Sequence, residues 1–151
     1  MITSRDYLSL LIPTNAVKLT KIVTGTYNQS LKYKIIATTN KGDTLIIADN
    51  LSTTRNNVID CSNASLGLKS DEYITSVTFM FGTVKAGFAN VETPQIFVKV
   101  LPNLPNGYQF ANKADVGGKD YNGEWICNNS TVLTTIFSTQ QPSQKLPKTG
   151  W

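Results

Sequence analysis

The chain has no histidine among its 151 residues. That absence excludes the Ser-His-Asp and Cys-His arrangements that activate a nucleophile. It has two cysteines, Cys61 and Cys127, and without imidazole two thiolates cannot complete the four ligands of a tetrahedral zinc site. No metal and no cofactor is therefore expected. Nowhere does an apolar run reach the ~20 residues of a membrane-spanning helix, and no coiled-coil heptad or internal repeat is visible. Charged residues amount to only 16%. Thr, Ser and Asn are abundant instead, with frequent β-branched apolar residues, a balance that favours strands and turns over helices.

The formal net charge of +4 invites an anionic partner. The lysines, however, are scattered from Lys18 to Lys119 and form no basic run interleaved with aromatics, so no nucleic acid is expected. Solvated strand faces account for them.

Taken in order, the apolar pattern marks a succession of short strands. Tyr7–Ile12 is stopped by Pro13, and Val17–Val23 ends before Gly25. Leu31, Tyr33, Ile35 and Ala37 alternate with Lys32, Lys34, Ile36 and Thr38, the period of two of a half-buried strand. Asn40-Lys41-Gly42-Asp43 turns it into Thr44–Ala48, a β-hairpin. A short strand at Asn56–Asp60 precedes Asn63–Leu68, where Gly67 allows one helical turn. In the strongest strand, Tyr73–Phe81, the residues Tyr73, Thr75, Val77, Phe79 and Phe81 share one face. Gln95–Leu101, Tyr108–Phe110, Glu124–Cys127 and Thr131–Phe137 follow, with Asp115-Val116-Gly117-Gly118 as a loop and Asn122-Gly123 as a hairpin turn. Eight or nine short strands between close Gly, Pro and Asn turns predict an all-β antiparallel β-sandwich, Ig-like or jelly-roll, over 1–137. Residues 138–151 are polar and aperiodic and predict a disordered tether.

Candidate chemistry is sparse, and no enzyme is expected. A carboxylate pair is the remaining route to hydrolysis, but Asp71, Glu72, Asp115, Asp120 and Glu124 sit in apparent turns, where acids bond locally. The oxygen-rich stretch from Asp115 to Glu124 lacks the spacing of a calcium loop. Tyr73, Tyr108, Tyr121 and Trp125 could form an aromatic platform for a glycan or a host-matrix ligand, although a strand Trp is more often core.

The chain ends in Leu146-Pro147-Lys148-Thr149-Gly150, followed by Trp151. Pro147 keeps Leu146 out of the helical region, Thr149 offers a stiff side chain, and Gly150 leaves the Thr149–Gly150 amide open to attack. The stretch resembles the LPxTG sorting signal of Gram-positive cell-wall-anchored surface proteins; an appended ligation tag is the other source of such a motif. The resemblance implies that a sortase cysteine attacks the Thr149 carbonyl, that the product is joined to peptidoglycan, and that the protein is extracellular. Lys148 falls at the variable position. The family signal continues into an apolar span that would hold the precursor in the membrane, and here that span is missing. Residues 1–6 also lack the basic start and apolar run of a signal peptide, so the sequence reads as the C-terminal piece of a longer surface protein.

The body also resembles a module that precedes the sorting signal in clostridial-type surface proteins, through Ile59-Asp60-Cys61, Ser70-Asp71-Glu72-Tyr73-Ile74, Phe81–Phe88 and Leu104–Phe110. That likeness implies a β-rich stalk or adhesin domain and brings no activity with it. In such a setting a Cys61–Cys127 disulfide would close a long loop and contribute about 3–5 kcal/mol, while a buried free cysteine is the alternative. An internal Lys–Asn isopeptide bond, the covalent device of similar adhesin domains, would draw on Lys18, Lys32 or Lys34 with Asn128 or Asn129.

Overall fold

A computed structural model describes residues 6–119 and 125–135. The strands are β1 (Asp6–Leu11), β2 (Val17–Val23), β3 (Thr26–Tyr27), β4 (Lys32–Thr39), β5 (Thr44–Ser52), β6 (Val58–Asp60), β7 (Ile74–Gly82), β8 (Asn90–Glu92), β9 (Gln95–Val100), β10 (Gln109–Lys119) and β11 (Trp125–Thr135). One helical turn, α1 (Asn63–Leu66), lies between β6 and β7. All pairings are antiparallel. A six-stranded sheet in the order β11-β10-β1-β7-β4-β5 and a three-stranded sheet, β6-β2-β9, form a sandwich, with β3 and β8 as a separate ribbon.

The core lies where inward faces meet. On β4 the predicted alternation holds, with Tyr33, Ile35, Ala37 and Thr39 buried. From the opposite sheet come Val17, Leu19 and Ile22. These three do not keep a strict period of two, because a bulge at Thr20 shifts the β2–β9 register between Leu19 and Lys21. The extra residue returns Ile22 to the inside and leaves Lys21 outside, its Nζ 4.2 Å from the Phe97 ring centroid. A bulge thus resets which residues face the core.

A second register shift corrects the reading of β7. Val77, Phe79 and Phe81 are buried as the alternation predicts. Between Thr38 and Thr39 of β4, however, the β7 partner jumps from Ser76 to Ile74. Ile74 therefore enters the core and Tyr73 stays 40% exposed. Thr75, at the irregularity, donates from Oγ1 to the Thr38 carbonyl, and its own carbonyl accepts from Ile12 N.

The chain from Asp115 to Gly118 is not a loop but the continuation of β10. Two adjacent glycines lower strand propensity. Here Gly117 lies directly opposite Tyr7 of β1, and a Cβ on it would stand 2.4 Å from the tyrosine ring. The missing side chain is where that ring sits. Likewise Glu124–Cys127 and Thr131–Phe137, expected as separate strands, belong to one strand, β11, within its described limits. The two-residue β3 and the three-residue β8 are too short to leave a periodic signal and were not foreseen.

Candidate functional site

Where the chain enters and leaves the sandwich follows from the register. Tyr7 of β1 lies opposite Gly117, and Gly117 opposite Cys127. At the other end Leu11 pairs with Lys113, and Gln109 pairs with Thr135. Asp6 and Thr135 therefore stand at opposite ends of the six-stranded sheet. The residues expected to form a sorting signal, Leu146, Pro147, Lys148, Thr149 and Gly150, and the expected tether from 138, lie outside the described residues. The last described residue is held by Gln109 Nε2, which donates to Thr135 Oγ1 at 3.2 Å.

Beside that exit is an open groove of about 650 Å³, lined by Leu11, Ile12, Pro13, Asn15, Phe110 and Lys113 among others. Its apolar side is the end of β1, where Leu11 remains 49% exposed. Asn15 Nδ2 donates to the Tyr108 hydroxyl and ties the β1–β2 loop to the start of β10.

Of the four residues expected to make a ligand platform, the three that are described do not come together at one end of the sheet. Tyr108 precedes Gln109 at this end of the sheet. Tyr73 belongs to the same end, where its carbonyl accepts from Asn40 N at the β4–β5 turn. Trp125 is paired with Lys119, at the far end of β10. The 11 residues of that strand place it roughly 35 Å away at ~3.3 Å per residue. Tyr121 lies outside the described residues. Strand length, which separates Trp125 from Tyr73 and Tyr108, is not visible in a search for aromatic residues alone.

Cys61 is a free, buried thiol in the core, 2% exposed. Of Cys127 the structure describes the backbone, in the edge strand of the other sheet. Burial first, and the charge of Asp60 second, push the Cys61 thiol up to about 12 from 9.0. A folded-state value raised above the unfolded one makes folding lose stability as pH rises from about 9 towards about 12, since only the unfolded chain ionises in that window. The thiol should also be inert. In a Cys127→Ser variant at pH 8, iodoacetamide should add no mass to the folded protein and one label after urea unfolding. Labelling at equal rates with and without urea would show that Cys61 is accessible.

The other candidate groups serve local structure. Asp71 pairs with Lys41 at 3.0 Å on the surface, and this lysine holds the carboxyl below its ordinary range. Glu72 Oε1 accepts from Lys69 N at 2.8 Å. Lys18, Lys32 and Lys34 are all exposed, which removes the burial that an isopeptide bond to Asn128 or Asn129 requires. Among the described residues no three His, Cys, Asp or Glu side chains are grouped to hold a metal ion, and no helix is long and apolar enough to cross a membrane.

No protein-family profile matches the chain, and no curated protein or solved structure matches it either.

One structural device was missed in the sequence. Several side-chain amides behave as an extra piece of strand. Asn28 Oδ1 accepts from Ala89 N and its Nδ2 donates to the Gly87 carbonyl. Gln29 Oε1 accepts from Lys85 N and its Nε2 donates to the Lys85 carbonyl. At the other end Asn40 Oδ1 accepts from Tyr73 N, and its Nδ2 donates to the Asp71 carbonyl. A primary amide carries the same donor and acceptor as a peptide group, so each satisfies loop backbone that has no strand neighbour. Polar residues in turns were the signal. What they bind depends on loops distant in sequence.

Proposed function

We propose that this is a non-enzymatic β-sandwich module of a Gram-positive surface protein, a stalk or adhesin domain joined to peptidoglycan by sortase cleavage between Thr149 and Gly150. The observation that carries the reading is Leu146-Pro147-Lys148-Thr149-Gly150 at the end of a polar stretch. In that role the thiolate of a sortase attacks the Thr149 carbonyl, the Gly150 amine departs, and an amine of the wall precursor resolves the thioester. The module's partners are then the sortase and peptidoglycan, and its location is the cell wall. Exit of the described chain at the end opposite to its entry supports a spacer, because such a module adds its length to a tether. The described aromatic residues considered for a glycan or host-matrix ligand are split between the two ends, Tyr73 and Tyr108 at one and Trp125 at the other, so no observation favours that second reading.

The test is an intact mass spectrum after incubation with a sortase and triglycine. The expected product ends at Thr149 joined to triglycine, and Thr149→Ala should prevent it. An unchanged mass, with limited proteolysis showing the tail open to cleavage, would overturn the proposal.

A further inference from the structure

We infer that the β1-β10-β11 part of the six-stranded sheet is a mechanical clamp, arranged so that tension between the two ends of the module loads its strands in shear. β10 is antiparallel to both β1 and β11, so β1 and β11 run in the same direction on either side of it. Tension pulls β1 outward through Asp6 at one end of the sheet and pulls β11 outward through Thr135 at the other. Each strand is thereby asked to slide along its neighbour.

Sliding requires the rungs of a ladder to fail together. From β10 to β11 the register runs unbroken over eleven residue pairs, Gln109↔Thr135 to Lys119↔Trp125. β1 is held on both sides, by five pairs to β10 and six to β7. Asp6 is fastened further by its carboxylate, whose Oδ2 accepts from Val84 N at 3.0 Å. The β1–β10 and β10–β11 ladders therefore lie in series along the line of force, and neither can be peeled from its end. The Tyr7 ring seated over Gly117 adds a steric catch to the sliding of β1 along β10. In the opposite geometry, with force applied to the start of β10 and the end of β11, the same eleven rungs open one after another. Forced unfolding is governed by the barrier to leaving the native state, and that barrier is high when many hydrogen bonds break at once.

The relevance of the clamp to a wall tether rests on the proposed anchoring; the response to force does not. Single-molecule force spectroscopy on the full chain tests it. One set of handles joins the N-terminus and the C-terminal tail. The other joins the tail to Pro105→Cys, an exposed position in the loop before β10, in a Cys127→Ser background whose thermal midpoint is checked first. The expected result is a single unfolding event end to end at several-fold higher force than in the peeling geometry. Equal forces in the two geometries, or a lower force end to end, would overturn the clamp whatever the sortase assay gives. A failed sortase reaction, in turn, leaves this comparison intact.

Discussion

Gly25→Ala is expected to lower the stability of the domain by about 2–5 kcal/mol, the sum of backbone strain and a steric clash. Gly25 has φ +74°, in the left-handed region. An alanine there carries the conformational cost of that region, roughly 1–2 kcal/mol. The larger effect comes from its surroundings. A Cβ would stand 2.4 Å from the Glu92 carbonyl oxygen and 2.8 Å from Pro94 N. Both are backbone atoms, and neither can swing aside as a side chain could. The backbone is also held from the other side, where Gly25 N donates to Asn56 Oδ1 at 2.9 Å. Gly42 and Gly67 provide the control: both have positive φ, with nothing within 4 Å of a Cβ. Urea denaturation of the three alanine variants should therefore show a modest drop for Gly42→Ala and Gly67→Ala and a much larger one for Gly25→Ala at similar slope. A Gly25 value no larger than the controls would mean that β8 and the segment after it can move away.

How far the sequence alone reveals these features differs from strand to strand. β4 is legible because Tyr33, Ile35 and Ala37 alternate with Lys32, Lys34, Ile36 and Thr38, and one face of a two-sided sheet needs nothing more than that. In β7 the alternation holds from Val77 to Phe81 and fails at the start of the strand, since a one-residue register shift exchanges inside and outside. No local pattern around Tyr73 announces the shift; it is set by pairing with Thr39, far away in sequence. Gly117 shows the same limit from the other direction. Two glycines predict a loop; what makes them strand is pairing with β1 and β11, and what requires glycine at 117 is the ring of Tyr7, more than a hundred residues earlier. The clearance required at Gly25 likewise depends on Glu92 and Pro94.

The candidate functional residues divide on similar lines. Leu146–Gly150 is a contiguous motif, and the sorting chemistry proposed for it can be read without a fold. A ligand platform is a claim about convergence, and convergence depends on strand length and order. Tyr108 and Trp125 sit close together in sequence, yet they occupy opposite ends of the sheet because β10 continues through Gly117 and Gly118. The clamp was invisible for the same reason. It depends on which strand lies between the first and the last, and nothing in the spacing of apolar residues places β10 there.

The aromatic cluster yields the second large effect, and it separates shape from polarity at one place in the core. Phe79 is fully buried, with ring centroids 6.2 Å from Tyr33 and 6.1 Å from Phe81. Tyr27 stacks on Phe88 at 5.3 Å and meets Phe81 edge-on at 4.9 Å, extending the cluster to the β7–β8 loop. Phe79→Ala removes a ring from the middle of this group and leaves a cavity that strands fixed in their ladders cannot close. The expected loss is about 3–5 kcal/mol, a large share of the roughly 5–15 kcal/mol that holds a domain of this kind folded. Tyr33→Phe should behave in the opposite way. The Tyr33 hydroxyl is buried and, among the described residues, makes no hydrogen bond of full geometry although the polar side chains of Thr24 and Asn57 lie beside it, while the Tyr27 hydroxyl donates to the Thr24 carbonyl at 2.8 Å. Deleting the Tyr33 oxygen keeps the ring contacts and relieves an unmade bond, so stability should hold or rise slightly, whereas Tyr27→Phe should lose about 1 kcal/mol. Thermal or urea denaturation of the three variants tests the account. A loss for Tyr33→Phe as large as that for Tyr27→Phe would show that the Tyr33 hydroxyl is satisfied in solution. A Phe79→Ala loss below about 1 kcal/mol would show that the two sheets can move together to fill the space.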